Sequence, residues 1–141
     1  MNKLSILLLT SLLIIVGCKP SEKQSKSAEI VEVASTTEAS FEDISLEEAK
    51  NMISEMSDLI VVDVRTPQEI SQGKIDGALE IDFLNENFSS EINKLDKNKK
   101  YLLYCRSGNR SGQALQMMKE NGFIWVRNMM GGYLAWSAAN K

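Results

Sequence analysis

Six consecutive residues near the middle of this chain, Leu59-Ile60-Val61-Val62-Asp63-Val64, are almost all apolar and mostly β-branched. A near-continuous run of this kind suits a strand buried on both faces, the condition of a strand inside a parallel sheet. Parallel neighbours need a crossover connection, usually a helix. The segments around the run supply such connections. Ser45 and Glu48 form a capping box ahead of Leu46, Ala49, Met52 and Ile53, which are spaced as one face of an amphipathic helix. Thr66-Pro67-Gln68-Glu69 is a second helix start, with Thr as cap, Pro at the first helical position and Glu at the third. Gly73 and Gly77 keep that helix short. A short strand is expected over 78–82 and a helix over 83–95, with Phe83, Leu84, Phe88, Ile92 and Leu95 facing inward. A strand follows over 101–104, then a helix over 111–121 with Ala114, Leu115 and Met118 on its buried stripe and Gly122 as its stop. A strand over 123–126, a turn at Gly131-Gly132 and a helix over 133–139 complete the series. Strands alternating with helices at this spacing imply an α/β fold, with a mostly parallel central sheet flanked by helices. No internal repeat is visible.

The 141 residues do not all belong to that fold. Asn2 and Lys3 form a short polar, positive start, and an apolar run over 4–16 follows, broken only by Ser5, Thr10 and Ser11. Gly17 and Cys18 come next. This is the layout of a signal peptide, and the run is short for a membrane span. Ile15-Val16-Gly17-Cys18 resembles the lipobox of bacterial lipoproteins, in which the cysteine is acylated and becomes the first mature residue; the bland alternative is a chance cysteine after an ordinary signal peptide. Two or three acyl chains would anchor the protein firmly. The expected location is the cell envelope, on the periplasmic side of a membrane or on the outer membrane, which Lys19 favours because it is not the acidic residue that retains some lipoproteins at the inner membrane. Residues 19–40 hold five Ser, two Thr, one Pro, four Glu, three Lys and no aromatic residue. Such a segment lacks the apolar surface to order itself and reads as a tether. All nine aromatics lie from Phe41 onward, so the expected division is a signal peptide over 1–17, a lipidated cysteine and tether over 18–40, and one domain over 41–141.

Charge and residue inventory narrow the chemistry. Without Lys3 the chain carries 15 basic and 19 acidic residues, a mild acidity that argues against a nucleic-acid partner. There is no histidine, which excludes His-based acid/base catalysis, Cys-His nucleophile pairs and His metal sites. No metal or other cofactor is implied. If Cys18 carries lipid, the second cysteine, Cys105, has no disulfide partner and is a candidate reactive thiol.

Cys105 ends the apolar strand Tyr101-Leu102-Leu103-Tyr104 and opens the loop Cys105-Arg106-Ser107-Gly108-Asn109-Arg110-Ser111. Turn-making needs only Gly, Asn and Ser, so the cysteine and the two arginines are surplus to it. In open α/β sheets ligands bind beyond the carboxyl ends of strands, where the next helix starts. Successive N–H groups from Arg106 to Ser111 at such a place form a nest at the positive end of the helix dipole. With Arg106 and Arg110 beside it, Cys105 is expected to be a thiolate at neutral pH. Gly108 permits the positive φ of a tight cradle. The bland readings are a cysteine used as a small buried hydrophobe, and arginines that form a solvated face, a reading that suits Arg106 better than Arg110. Asp63 and Arg65 are expected to pin the end of the strand, with Arg65 pairing Glu69, rather than to touch substrate. Trp125, Trp136 and the methionine pairs Met117-Met118 and Met129-Met130 read as core or gap-filling residues.

A cysteine and an arginine separated by four residues and followed by Ser111 resemble the active-site loop of single-domain rhodanese-like sulfurtransferases. Three further islands are similar to motifs of that family: Asp63-Val64-Arg65 with Glu69, the turn over 73–78, and Gly131-Gly132 with Ala135-Trp136. The resemblance implies a three-layer fold. It also implies that Cys105 takes the outer sulfur of a donor such as thiosulfate, carries it as a persulfide, and passes it to cyanide, a thiol or a protein acceptor. Arg106, Ser107, Gly108, Asn109, Arg110 and Ser111 would hold the persulfide and the donor's oxygens. Lys74 and Asp76 replace the family's usual His and Pro in its turn; a small loss of rigidity there and a Lys- or Arg-to-carboxylate contact near the site are the expected consequences.

Two rivals stand beside this reading. Cysteine-dependent phosphatases of the dual-specificity, cell-cycle class resemble this fold, but their loop has one more residue between Cys and Arg, and no Asp or His general acid follows the loop here. The other is a non-catalytic rhodanese-like module tethered at the membrane to dock a partner or hold a persulfide.

Overall fold

The structure, a computed structural model, describes residues 38–141. The proposed signal peptide, Cys18 and the tether up to residue 37 lie outside the described residues. Five strands form one all-parallel sheet, β1 (Ser40–Ile44), β2 (Leu59–Asp63), β3 (Leu79–Glu80), β4 (Lys100–Tyr104) and β5 (Trp125–Met129), in the order β1-β5-β4-β2-β3. The four connections carry the helices α1 (Leu46–Glu55), α2 (Pro67–Ile70), α3 (Phe88–Ile92) and α4 (Asn109–Glu120), and α5 (Gly132–Ala139) follows β5. This is the α/β architecture that the alternation of patterns predicts.

Side chains of β4 alternate between two cores. Tyr101, Leu103 and Cys105 lie in the cluster that includes Phe88, Ile92, Ala114, Leu115 and Met118. Leu102 and Tyr104 lie in the other, with Ile44, Ala49 and Met129. Cys105 therefore continues the pleat one step past the end of the strand, onto the α4 side. Both capping boxes are present: Ser45 with Glu48 opens α1, and Thr66 with Glu69 opens α2, where Pro67 occupies the first turn.

Several boundaries differ from expectation, each for a local reason. The helix expected over 83–95 shrinks to α3, because Asp82 Oδ1 accepts from Leu84 N–H and Asn85 Oδ1 from Asn87 N–H, side-chain turns that compete with helix. Leu84 is consequently 65% exposed instead of facing inward. The strand expected over 123–126 begins at Trp125, since Phe123 N–H still bonds Met118 O and Ile124 N–H bonds Lys97 O. Helix α4 begins at Asn109, two residues inside the cysteine loop. Met130 is half exposed and fills no gap, whereas Met118 and Met129 are buried. Strand β1, with exposed Glu42 and Asp43, has no apolar signature; its place at the sheet edge explains why it needs none.

Candidate active site

The carboxyl end of β4 and the amino end of α4 are joined by four residues, 105–108. Gly108 is the N-cap of α4 in the left-handed region, φ 97° and ψ −10°, and in that conformation its N–H donates to Cys105 Sγ at 3.1 Å. The sulfur lies at the floor of the loop, with Cys105 only 1% exposed. Burial pushes the thiol up; the Ser111 hydroxyl and the N–H groups of Ser111, Ser107 and Gly108 outweigh it, and the net direction is down. Ser111 Oγ is buried and makes no hydrogen bond of full geometry to any atom. These donors lie in the loop that enters α4 and in its first turn, where the helix dipole adds to their effect.

Helix α5 backs the loop from the other side. Tyr133 N–H donates to Cys105 O at 2.8 Å and Leu134 N–H to Arg106 O at 3.0 Å. A Cβ on Gly132 would overlap the Cys105 carbonyl, so the second glycine of Gly131-Gly132 is required by this close approach.

The arginines divide the work. Arg110 forms a forked pair with Glu69, Nη1 to Oε2 at 2.8 Å and Nη2 to Oε1 at 2.6 Å. The hydrogen bonds from Arg110, together with the Thr66 N–H, pull the Glu69 carboxyl down to about 2 against the effect of burial. Glu69, and secondarily the Cys105 sulfur, hold Arg110 firmly protonated. Arg106 and Ser107 are exposed, as is Asn109, whose Oδ1 accepts from Gln113. Arg106 lines an open cleft of about 270 Å³ together with Gln72, Tyr133 and Leu134.

The expected Arg65–Glu69 pair is not formed. Arg65 is closed onto Asp63 through Nε to Oδ1 at 2.9 Å and Nη2 to Oδ2 at 2.6 Å, and it reaches only the backbone oxygen of Glu69. The reason is geometric: positions 63 and 65 share a face of extended chain, while the capping box folds the Glu69 side chain back over Thr66, where Arg110 meets it. Arg65 also donates to Gly73 O at 2.8 Å and lies 4.0 Å from the centre of the Tyr133 ring. Asp63 and Arg65 thus hold the floor of the site and the turn beside it. In that turn Lys74 pairs with Glu80 at the surface, and Ile75 N–H donates to the Tyr104 hydroxyl at 3.1 Å. Sequence reasoning singled out neither Tyr133 nor Asn128. Tyr133 follows the Gly131-Gly132 signature directly. Asn128 is a polar residue in the interior strand β5, the one signal that marked it.

A parallel α/β domain with a cysteine cradled by helix N–H groups beyond the carboxyl end of a central strand is the class that fold and site define. The chain belongs to the rhodanese-like domain family, whose sequence pattern matches residues 45–139. It is 34% identical over 95 residues to a sulfurtransferase of Allochromatium vinosum, covering 67% of this chain and 87% of that protein. It is 32% identical over 102 residues to the thiosulfate sulfurtransferase GlpE of Shewanella oneidensis, covering 72% of this chain and 98% of the relative. Among solved structures, a rhodanese-like domain protein from Staphylococcus aureus superposes with a TM-score of 0.61 at 33% identity, over 67% of this chain and 90% of that one.

Proposed function

We propose that this protein is a sulfurtransferase that moves a sulfane sulfur from thiosulfate or a related donor to a thiophilic acceptor through a persulfide on Cys105. The observation that carries the reading is the Gly108 N–H at 3.1 Å from Cys105 Sγ, one of several donors at the entry to α4 that bias the thiol toward its anion. The Cys105 thiolate attacks the outer sulfur of thiosulfate; a sulfur–sulfur bond forms to Cys105, the donor's own sulfur–sulfur bond breaks, and its electron pair leaves with sulfite. An acceptor anion, cyanide or a thiolate, then attacks the terminal sulfur and regenerates the Cys105 thiolate. Charge balances in both steps with no proton transfer, so the lack of histidine costs nothing. The N–H groups from Arg106 to Ser111, the Ser111 hydroxyl and the Arg110 guanidinium stabilise the persulfide and the sulfonate oxygens, an oxyanion-hole type of stabilisation. Arg106 faces the open cleft and tunes the choice of donor or acceptor, small molecule or protein. Acylation of Cys18 would place this chemistry at a membrane of the cell envelope.

The test is intact mass after thiosulfate treatment. A gain equal to one sulfur atom, lost on reduction and absent in Cys105→Ser, together with thiosulfate:cyanide transfer abolished by the same change, is the expected result. Transfer that persists in Cys105→Ser overturns the mechanism. A wild-type protein that never gains sulfur is a binding module instead.

A further inference from the structure

Asn128 lies on β5, 4% exposed, in register with Leu103 of β4. Both hydrogens of its Nδ2 are engaged: one goes to Asp43 Oδ1 on β1 at 2.7 Å, the other to Gly108 O at 3.1 Å. Its Oδ1 is buried and has no partner. An amide flip would set that oxygen against a carboxylate and a carbonyl, so the two acceptors fix the orientation of the group. The same side chain accounts for a second glycine, since a Cβ on Gly112 would come within 3.2 Å of Nδ2.

We propose that Asn128 is a positioning residue for the sulfur chemistry: with Asp43 behind it, it clamps the Gly108 carbonyl and thereby holds Gly108 in the orientation that aims its N–H at the sulfur of Cys105. The proposal rests on Cys105 being the nucleophile. Its physical basis is the permissiveness of glycine. Gly108 has access to conformations on both sides of φ = 0, and the helix bond from Gly112 N–H to Gly108 O is one weak link at a fraying terminus. A rigid donor projecting from the sheet supplies what the glycine lacks, and an unsatisfied Oδ1 in the interior is tolerated in exchange.

The experiment measures alkylation of Cys105 across pH, with steady-state thiosulfate:cyanide transfer, in the full chain carrying Asn128→Leu, Asn128→Asp or Asp43→Ala. Asp43 is exposed, so its variant folds whatever becomes of the buried ones. The Arg110–Glu69 and Asp63–Arg65 pairs are unchanged in all three, but Asn128→Asp adds a carboxylate and Asp43→Ala removes one, so Asn128→Leu is the variant that breaks the clamp with no change of charge. Ile92→Val serves as a control that removes core contacts far from the loop. The thiol of Asn128→Leu and Asn128→Asp is expected to ionise at higher pH than in the wild type. Alkylation at slightly acid pH should fall about tenfold, kcat should fall with it, and Asp43→Ala should lie between. The control should lower the melting temperature and leave the pH profile in place. Wild-type profiles in Asn128→Leu and Asp43→Ala, with the wild-type thiol ionising early, overturn the clamp alone. A wild-type thiol that ionises like free cysteine overturns the nucleophile reading and the clamp with it.

Discussion

Two arginine–carboxylate pairs stand within one site, and they do opposite things. Asp63 and Arg65 are two residues apart on one stretch of extended chain, with side chains 0% and 3% exposed. Glu69 and Arg110 are 41 positions apart, on α2 and α4, with side chains 26% and 19% exposed. In the first pair Arg65 donates to Asp63, Gly73 O and Glu69 O, and its guanidinium lies against the Tyr133 ring. It is a structural rivet. The second faces the cysteine loop and partly faces water, so its guanidinium can be shared with an incoming anion. Equal chemistry therefore gives rigidity where solvent is excluded and exchangeability where it is not.

This contrast can be broken most violently at the buried pair. Asp63→Asn leaves the Arg65 guanidinium without its counter-charge, and stability in chemical denaturation should drop by about 3–5 kcal/mol. At the open pair the effect should move from stability to activity. Arg110→Lys keeps the charge but loses the fork, so kcat/KM for thiosulfate should fall about a hundredfold, with unfolding changed by less than about 1 kcal/mol. A persisting wild-type kcat/KM would mean that Arg110 serves only Glu69.

The pH dependence sharpens the comparison further. Glu69 has its folded pKa depressed to about 2 from an ordinary 4.5. The unfolded chain therefore binds the proton first as pH falls, and the contribution of Glu69, full above about 4.5, is lost as pH drops through that value toward about 2. Glu69→Gln should cost about 1–2 kcal/mol at neutral pH and flatten this acid limb of the stability profile. An unaltered limb would assign it to other carboxylates. The smallest effect belongs to Lys74, whose pair with Glu80 is 37% and 46% exposed; Lys74→Ala should change stability by less than about 1 kcal/mol and leave sulfur transfer in place.

The legible parts of the fold are those carried by short spacings. Both capping boxes, the apolar β2 strand (buried only from Val62 onward) and the two glycine turns were visible because each depends on residues within a few positions of one another. The helix expected over 83–95 failed for a reason equally local but weaker in pattern: Asp82 and Asn85 turn the chain with their own side chains, and apolar periodicity does not register that competition. Within the site, Cys105, Gly108, Arg110 and Ser111 were identifiable from residue type and place at a strand-to-helix junction. The partner of Glu69 was misassigned to Arg65, since the two lie as close in sequence as any ion-pair rule asks, whereas Arg110 is 41 positions away.

Sequence alone determined the setting of Cys105: a cysteine at the end of an apolar strand, a glycine for the left-handed cap, and N–H groups at a helix start beside it. The fold decided who braces that setting. The sheet order sets β5 between β1 and β4, so Asn128 spans from Asp43 to Gly108; α2 and α4 bring Glu69 to Arg110; and α5 closes on the Cys105 carbonyl. Local chemistry is written in neighbouring residues because their separation is fixed by covalent geometry. Contacts across 41 or 85 positions are fixed by packing, which depends on every element at once.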